Sequence, residues 1–142
     1  MEILIKTWKE AKADAFLVRQ AVFIQEQRVP AELELDEFDL TATHALAYLD
    51  TQCIGTGRLV ELGNGHTQIG RMAVLAQFRG AGTGKQILEK LVELAISQRA
   101  KTIILHAQLS AIPFYEKLGY TIIGTSFEIK DVGTHFVMYK YV

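Results

Sequence analysis

The sequence predicts an α+β fold built on a mixed, mostly antiparallel sheet. Three observations predict it: β-type runs near both ends of the chain, a tight-turn signal at Asn64-Gly65, and a glycine loop that leads into an amphipathic helix. Because a helical crossover joins parallel strands, the strands on either side of that helix should form a central parallel pair. Helices are expected to flank the sheet.

The first half of the chain is predicted to hold one helix and four strands. Glu2 to Lys6 is a short strand, and Thr7 and Glu10 have the spacing of a capping box that starts a helix. Apolar residues at helical spacing continue this helix to about Ile24. The acidic stretch Glu32 to Asp39 carries too many like charges for a buried segment, so we expect a solvated loop or short helix there. An antiparallel meander follows, with strands at His44 to Leu49, Cys53 to Leu62 and Thr67 to Leu75.

The second half begins with the glycine loop. The helix that follows it has one apolar face, whose period predicts that the helix continues to about Arg99. The strand Thr102 to Ala107 should lie parallel to the strand before the loop. A short helix from Ala111 to Leu118 and a hairpin of Tyr120 to Ile129 with Thr134 to Tyr141 complete the chain.

Composition excludes several classes of protein. A chain of 142 residues, 49% hydrophobic and 22% charged, has the size and balance of a single globular domain over residues 1–142. The net charge of −1 lacks the basic excess of a nucleic-acid-binding protein. No apolar run approaches the roughly 20 residues needed to cross a bilayer. One cysteine, Cys53, and no secretory signal lead us to expect a cytoplasmic protein without a membrane or nucleic-acid partner.

The glycine loop predicts a phosphate site. Gly80, Gly82 and Gly84, between Arg79 and Lys85, let backbone amides approach an anion that the helix dipole then stabilises. A dinucleotide fingerprint would need glycine at position 85, and a P-loop would need glycine at 79 and Ser or Thr at 86, so neither nucleotide motif fits. A glycine-rich turn without a ligand is the alternative.

Two segments carry a resemblance to a known family. Arg79 to Gly84 resembles the Q/R-x-x-G-x-G/A signature of the GNAT superfamily of N-acetyltransferases, and Ala111 to Tyr120 resembles its A-x-x-x-Y-x-x-x-G-F/Y segment. Val22 to Pro30, with Gly133-Thr134-His135, is similar to a subgroup of small uncharacterised bacterial acetyltransferases. The resemblance implies the acyl-CoA N-acyltransferase fold, with a sheet splayed at its central parallel strand pair.

That resemblance implies acetyl-CoA as cosubstrate, lying in the V-shaped opening between the parallel strands. Main-chain groups of a bulged strand would pair with the pantetheine amides, although a plain core strand fits the same sequence. Gln108 stands where the superfamily often has asparagine. No metal is expected, since four histidines and one cysteine show no ligand spacing. The implied coenzyme-binding residues are Met72, Ala73, Val74, Arg79, Gly80, Ala81, Gly82, Thr83, Gly84, Lys85, Gln108, Phe114 and Tyr115.

Acetyl transfer to an amine needs an uncharged nucleophile, oxyanion stabilisation and a proton for the departing thiolate. Tyr115 matches the superfamily tyrosine near the coenzyme sulfur and is the predicted catalytic residue; a structural packing role is its alternative. A backbone N–H near Val74 is the implied oxyanion donor. Glu26, His106 and His135 are candidates for the base or the acceptor site, each also explained by a structural role.

The function predicted is transfer of an acetyl group from acetyl-CoA to a primary amine by direct attack. A non-catalytic acyl-CoA-binding sensor is the alternative. Residues 1–70 hold 6 Lys and Arg against 11 Asp and Glu, whereas residues 71–142 hold 9 against 5. The resemblance implies that Glu32 to Asp39 lies on the connection that walls the acceptor side, so we expect a cationic small-molecule amine or a lysine side chain. The sequence leaves a homodimer open.

Overall fold

All seven strands form one mixed sheet in the computed structural model, which describes residues 1–142. The strand order is β1-β2-β3-β4-β5-β7-β6, and only the central neighbours β4 and β5 are parallel. The predicted fold class is therefore confirmed, with strand ends within two residues of those predicted. The strands are β1 (Glu2–Lys6), β2 (Thr43–Leu49), β3 (Gln52–Gly63), β4 (His66–Val74), β5 (Thr102–Gln108), β6 (Thr121–Ile129) and β7 (Gly133–Tyr141).

Four α-helices connect the strands. The Thr7 N–H donates to Glu10 Oε1 at 3.2 Å, as the capping-box spacing predicted, and the first helix begins one residue later. It continues past the predicted end as a π-helical segment, Gln20–Glu26. None of the helices is long and apolar enough to span a bilayer. The helices are α1 (Trp8–Arg19), α2 (Ala31–Glu34), α3 (Thr83–Ser97) and α4 (Ile112–Lys117).

Helices cover both faces of the sheet. The alternation of side chains along β2 sends Ala45 and Ala47 into the main core with α3, while Leu46 packs on the other face against Trp8 of α1. The main core contains 16 buried residues, among them the apolar face of α3 that its period predicts. Burial of these apolar side chains stabilises the packing of α3 on the sheet.

The sheet opens in its middle. Between the pairs Thr56↔Ala73 and Arg58↔Gly70, β4 has one residue more than β3, and Arg71 in this bulge has φ 50°. Pairing of β4 with β5 ends at Gln68↔Ile104, after three residue pairs. The strands then separate, as the family resemblance implied.

The acidic stretch forms the expected short helix, Ala31–Glu34, and Glu32 and Glu37 are exposed as predicted, but two of its carboxylates are buried. Glu34 and Asp39 are 2% and 1% exposed because both accept hydrogen bonds from Arg19 of α1. Arg58 of β3 binds Asp36 and Asp39 at 2.6 Å and 2.9 Å. For these two carboxylates the prediction was wrong, because it considered only the repulsion between neighbouring acids and not the arginines that the fold brings from 15 to 22 residues away.

Candidate active site

A cleft of about 880 Å³ fills the gap between the separated strands β4 and β5. Residues of the π-helical segment, the start of α3, helix α4 and the β6–β7 turn close its sides. Of the residues singled out by sequence, those that line it are Met72, Ala73, Val74, Arg79, Gly80, Gly82, Thr83, Gly84, Lys85, His106, Gln108, Phe114, Tyr115 and His135. Ala81 and Glu26 do not line it; both are exposed.

The glycine loop has the geometry of an anion site. Gly80 and Gly82 have φ of 88° and 82°, in the left-handed region that favours glycine, and the space where their side chains would lie is open. Gly82 is the N-cap of α3, and no side chain caps this helix. Its first backbone N–H groups therefore lack helical acceptors and can bind a phosphate. The loop and the unpaired edge of β4 thus fit the pyrophosphate and pantetheine of acetyl-CoA.

The end of the π-helical segment contacts both walls of the cleft. Glu26 forms a bidentate ion pair with Arg79, with both N–O distances 2.7 Å, and Gln27 accepts a hydrogen bond from Gln108 at 3.0 Å. The hydrogen bond from Arg79 lowers the pKa of Glu26. Glu26 is therefore a weaker base than a free glutamate.

Tyr115 lies in the wall of the cleft and is 9% exposed. Its ring makes edge contacts with Phe114 and Tyr120, at centroid distances of 5.1 Å and 5.9 Å, which fix its position. Burial raises the pKa of Tyr115 to about 12. The phenol is protonated at neutral pH, as any tyrosine is, and burial makes it a weaker acid that can still donate a hydrogen bond into the cleft.

Both candidate histidines line the cleft, and both rings pack against Phe127. His135 is buried, and its Nδ1 lies 2.9 Å from the Gly133 carbonyl oxygen, which leaves Nε2 available. His106 is exposed, and its ring makes an edge contact with Phe127, with the ring centroids 5.2 Å apart. Desolvation and the neighbouring His135 lower the pKa of His106, so its imidazole is neutral at neutral pH.

Several residues of this histidine end of the cleft were missed by the sequence analysis. Leu33, Arg71, Ile129 and Val132 line the cleft beside the histidines. Arg71 directly precedes Met72, so the bulged strand that the resemblance implied could have indicated Arg71 as a cleft residue. The β6–β7 turn carried no local signal, because only the tertiary fold brings it to the cleft.

The buried carboxylates do not give this end a negative charge. Glu34 lines the cleft but is paired with Arg19, and Asp36 binds both Arg58 and Arg71, the latter at 3.1 Å. Three arginines thus balance the three buried or half-buried acids, and the physical reason for expecting a cationic acceptor does not hold.

The single cysteine is not a reactive nucleophile, since burial raises the pKa of Cys53 to about 11. The chain contains no group of three or more His, Cys, Asp or Glu side chains placed to hold a metal ion.

Known proteins share this sequence pattern and fold. The model of the Acetyltransferase (GNAT) family matches residues 5–120. The chain belongs to this family. This GNAT protein is 38% identical to the uncharacterised N-acetyltransferase YjcF of Bacillus subtilis over 141 residues, covering 99% of each chain. It is 27% identical to a Lactobacillus plantarum protein named as an N-acetyltransferase, with a TM-score of 0.90 over 99% of this chain and 97% of the other.

The fold is shared more widely. Escherichia coli ElaA superposes with a TM-score of 0.86 at 24% identity, over 98% of both chains. Family and relatives show this GNAT protein to be an acetyl-CoA-dependent acetyltransferase, and none of them supports the alternative of a non-catalytic sensor. Enzymes of the family acetylate amines of small molecules or proteins.

Proposed function

We propose that this acetyltransferase, acting as one domain over residues 1–142, moves the acetyl group of acetyl-CoA onto a primary amine by direct attack. One observation carries the proposal: a single cleft joins an uncapped helix N-terminus, a buried protonated tyrosine and two histidines. When bound, acetyl-CoA supplies the electrophilic thioester and the thiol leaving group.

The glycine loop would hold the pyrophosphate, and the free edge of Met72 to Val74 would pair with the pantetheine amides. Lys85 adds positive charge at the start of α3. Arg79 contributes only if it exchanges the Glu26 carboxylate for a phosphate. Gln108 would similarly exchange Gln27 for the pantetheine.

Tyr115 is positioned to act on the departing thiolate. Like that of any tyrosine, its phenol is protonated at neutral pH; burial raises its pKa to about 12 and so makes it a weaker acid, while the contacts with Phe114 and Tyr120 hold the ring in the wall. The phenol can donate that proton, or a hydrogen bond, to a departing thiolate.

The histidines are better candidates than Glu26 for receiving the proton of the amine. Their end of the cleft adjoins Arg71 and Ile129, away from the glycine loop, and the neutral imidazole of His106 can accept a proton. Nε2 of His135 is available because Nδ1 faces the Gly133 carbonyl. Either ring can deprotonate an ammonium group directly or through one water molecule.

The test is thiol release from acetyl-CoA with a broad panel of amines. Tyr115→Phe should lower kcat about tenfold or more if a general acid is lost. Tyr120→Phe is the matched control, because its hydroxyl is buried without a hydrogen-bond partner and its ring packs on Tyr115 outside the cleft wall. Unchanged turnover of Tyr115→Phe would remove Tyr115 from the chemistry, and coenzyme binding without thiol release on any amine would make the chain a binding module.

A further inference from the structure

A small recess of about 110 Å³ lies beside the histidine end of the cleft, behind the β4 bulge. The recess and the cleft share Ile69, Gly70, Arg71, His106, Ile129 and His135 in their walls. A molecule in the acceptor end of the cleft can therefore place one of its groups in the recess.

Arg58 in the recess wall has an unused hydrogen-bond donor. The side chain is 8% exposed, and its Nη1 and Nη2 atoms bind Asp36 and Asp39. Its Nε is buried with no partner. An unpaired buried N–H is costly, so an acceptor that reached this Nε from the recess would relieve that cost.

The rest of the wall is also rich in donors. Arg71 is held by the carbonyl oxygens of Leu33 and Glu34, so its guanidinium is fixed beside the recess. Gln68, His106 and His135 complete the polar wall, and no acidic residue lines it. The carboxylates that balance the two arginines thus lie outside the recess, and its polar wall consists of two arginines, one amide and two histidines, with apolar residues between them.

We propose that this recess binds the carboxylate of the acceptor, so that the substrate is a primary amine that also carries a carboxylate, such as an amino acid. The inference rests on the proposed function, because the recess is useful for catalysis only if the amine lies in the adjoining cleft. A volume of about 110 Å³ accommodates a group of a few atoms, and two guanidinium groups are the usual partners of a carboxylate.

The first experiment compares each amine with its neutral counterpart. Glycine, β-alanine, 4-aminobutanoate and 5-aminopentanoate are assayed against their amides by thiol release, since the distance between amine and carboxylate is the variable. We expect kcat/KM to favour the acid over its amide about tenfold or more for at least one length, the effect of hydrogen bonds to a charged group. Equal values across the series, with acetyl transfer to other amines intact, would overturn the recess and leave the proposed function standing.

Two variants locate the effect in the recess. Arg58→Lys keeps the positive charge but removes Nε together with the two nitrogens that bind Asp36 and Asp39. Gln68→Met removes an amide from a half-buried side chain and leaves that ion cluster intact. Both should reduce the preference for the acid over the amide. Gln98→Met, at the exposed end of α3, is the matched control and should leave the preference unchanged. A preference that survives Gln68→Met and Arg58→Lys at full size would place the carboxylate elsewhere.

A binding measurement separates the two proposals. Calorimetry compares the N-acetylated acids of the series with their amides, without turnover. Tighter binding of the acids, lost in Gln68→Met, supports the recess even if no amine in the panel is acetylated, an outcome that would overturn the proposed function alone. Equal affinity of acid and amide overturns the recess.

Discussion

Replacement of Arg19 by methionine tests the buried ion cluster whose Glu34 lines the cleft. Arg19 is 1% exposed and donates five hydrogen bonds to Glu34 and Asp39. Without it, Asp39 keeps Arg58 at 2.9 Å, but the 1%-exposed side chain of Glu34 loses its cationic partner. The variant therefore buries an uncompensated carboxylate.

The expected loss is large. Removing one partner of a buried ion pair costs about 3–5 kcal/mol of unfolding free energy. At about 2–4 °C per kcal/mol for a chain of this size, Tm should fall by about 6–20 °C. Chemical and thermal denaturation followed by circular dichroism measure both quantities.

Two further variants make the result specific. Adding Glu34→Gln to Arg19→Met removes the orphaned charge and should recover part of the stability. Lys12→Met, at an exposed position of α1, removes a cation from the same helix and should shift Tm little. A loss below about 1 kcal/mol for Arg19→Met, or no recovery in the double variant, would refute the reasoning, because such values are typical of exposed pairs.

Three other predictions concern the loop, the cleft and pH. Glu26→Gln frees Arg79, so the Kd for coenzyme A measured by calorimetry should fall, by up to about fivefold for an exposed pair; a weaker affinity would contradict competition between Glu26 and the coenzyme. Gly82→Ala strains a left-handed position and should cost about 1–2 kcal/mol of unfolding free energy, whereas Gly84→Ala meets only an ordinary 3.8 Å contact and should cost less; equal losses would argue against backbone strain. Burial lowers the pKa of His44, so its contribution to stability is present above about pH 6.5 and declines as pH falls below that value. The unfolding free energy, measured with urea at about pH 7.5 and 5.5, should therefore change less between the two pH values in His44→Gln than in the original chain.

The sequence predicted the elements that depend on local pattern. The apolar face of α3, the capping box at Thr7 and the turn at Asn64-Gly65 are each set by residues a few positions apart, and all lie where their patterns placed them. The glycine loop belongs to the same class, because positive φ at Gly80 and Gly82 requires glycine whatever the rest of the chain does.

Long-range pairing of charges was not predictable from local pattern. Glu34 and Asp39 were expected in solvent because their neighbours in sequence are acidic, yet each is buried against Arg19 of a preceding helix. The same pairing removed the reason for a cationic acceptor. Glu26 had been a candidate base until the fold placed it on Arg79, 53 residues away.

The sequence by itself determined the fold class, the glycine loop and the family, since these rest on periodicity and short motifs. Only the tertiary structure decided the character of the histidine end of the cleft, because the wall of its recess joins side chains from β3, β4, β5, β6 and β7 that no spacing relates. The buried Nε of Arg58 shows this most directly. Whether that donor is satisfied depends on atoms that are near only after folding.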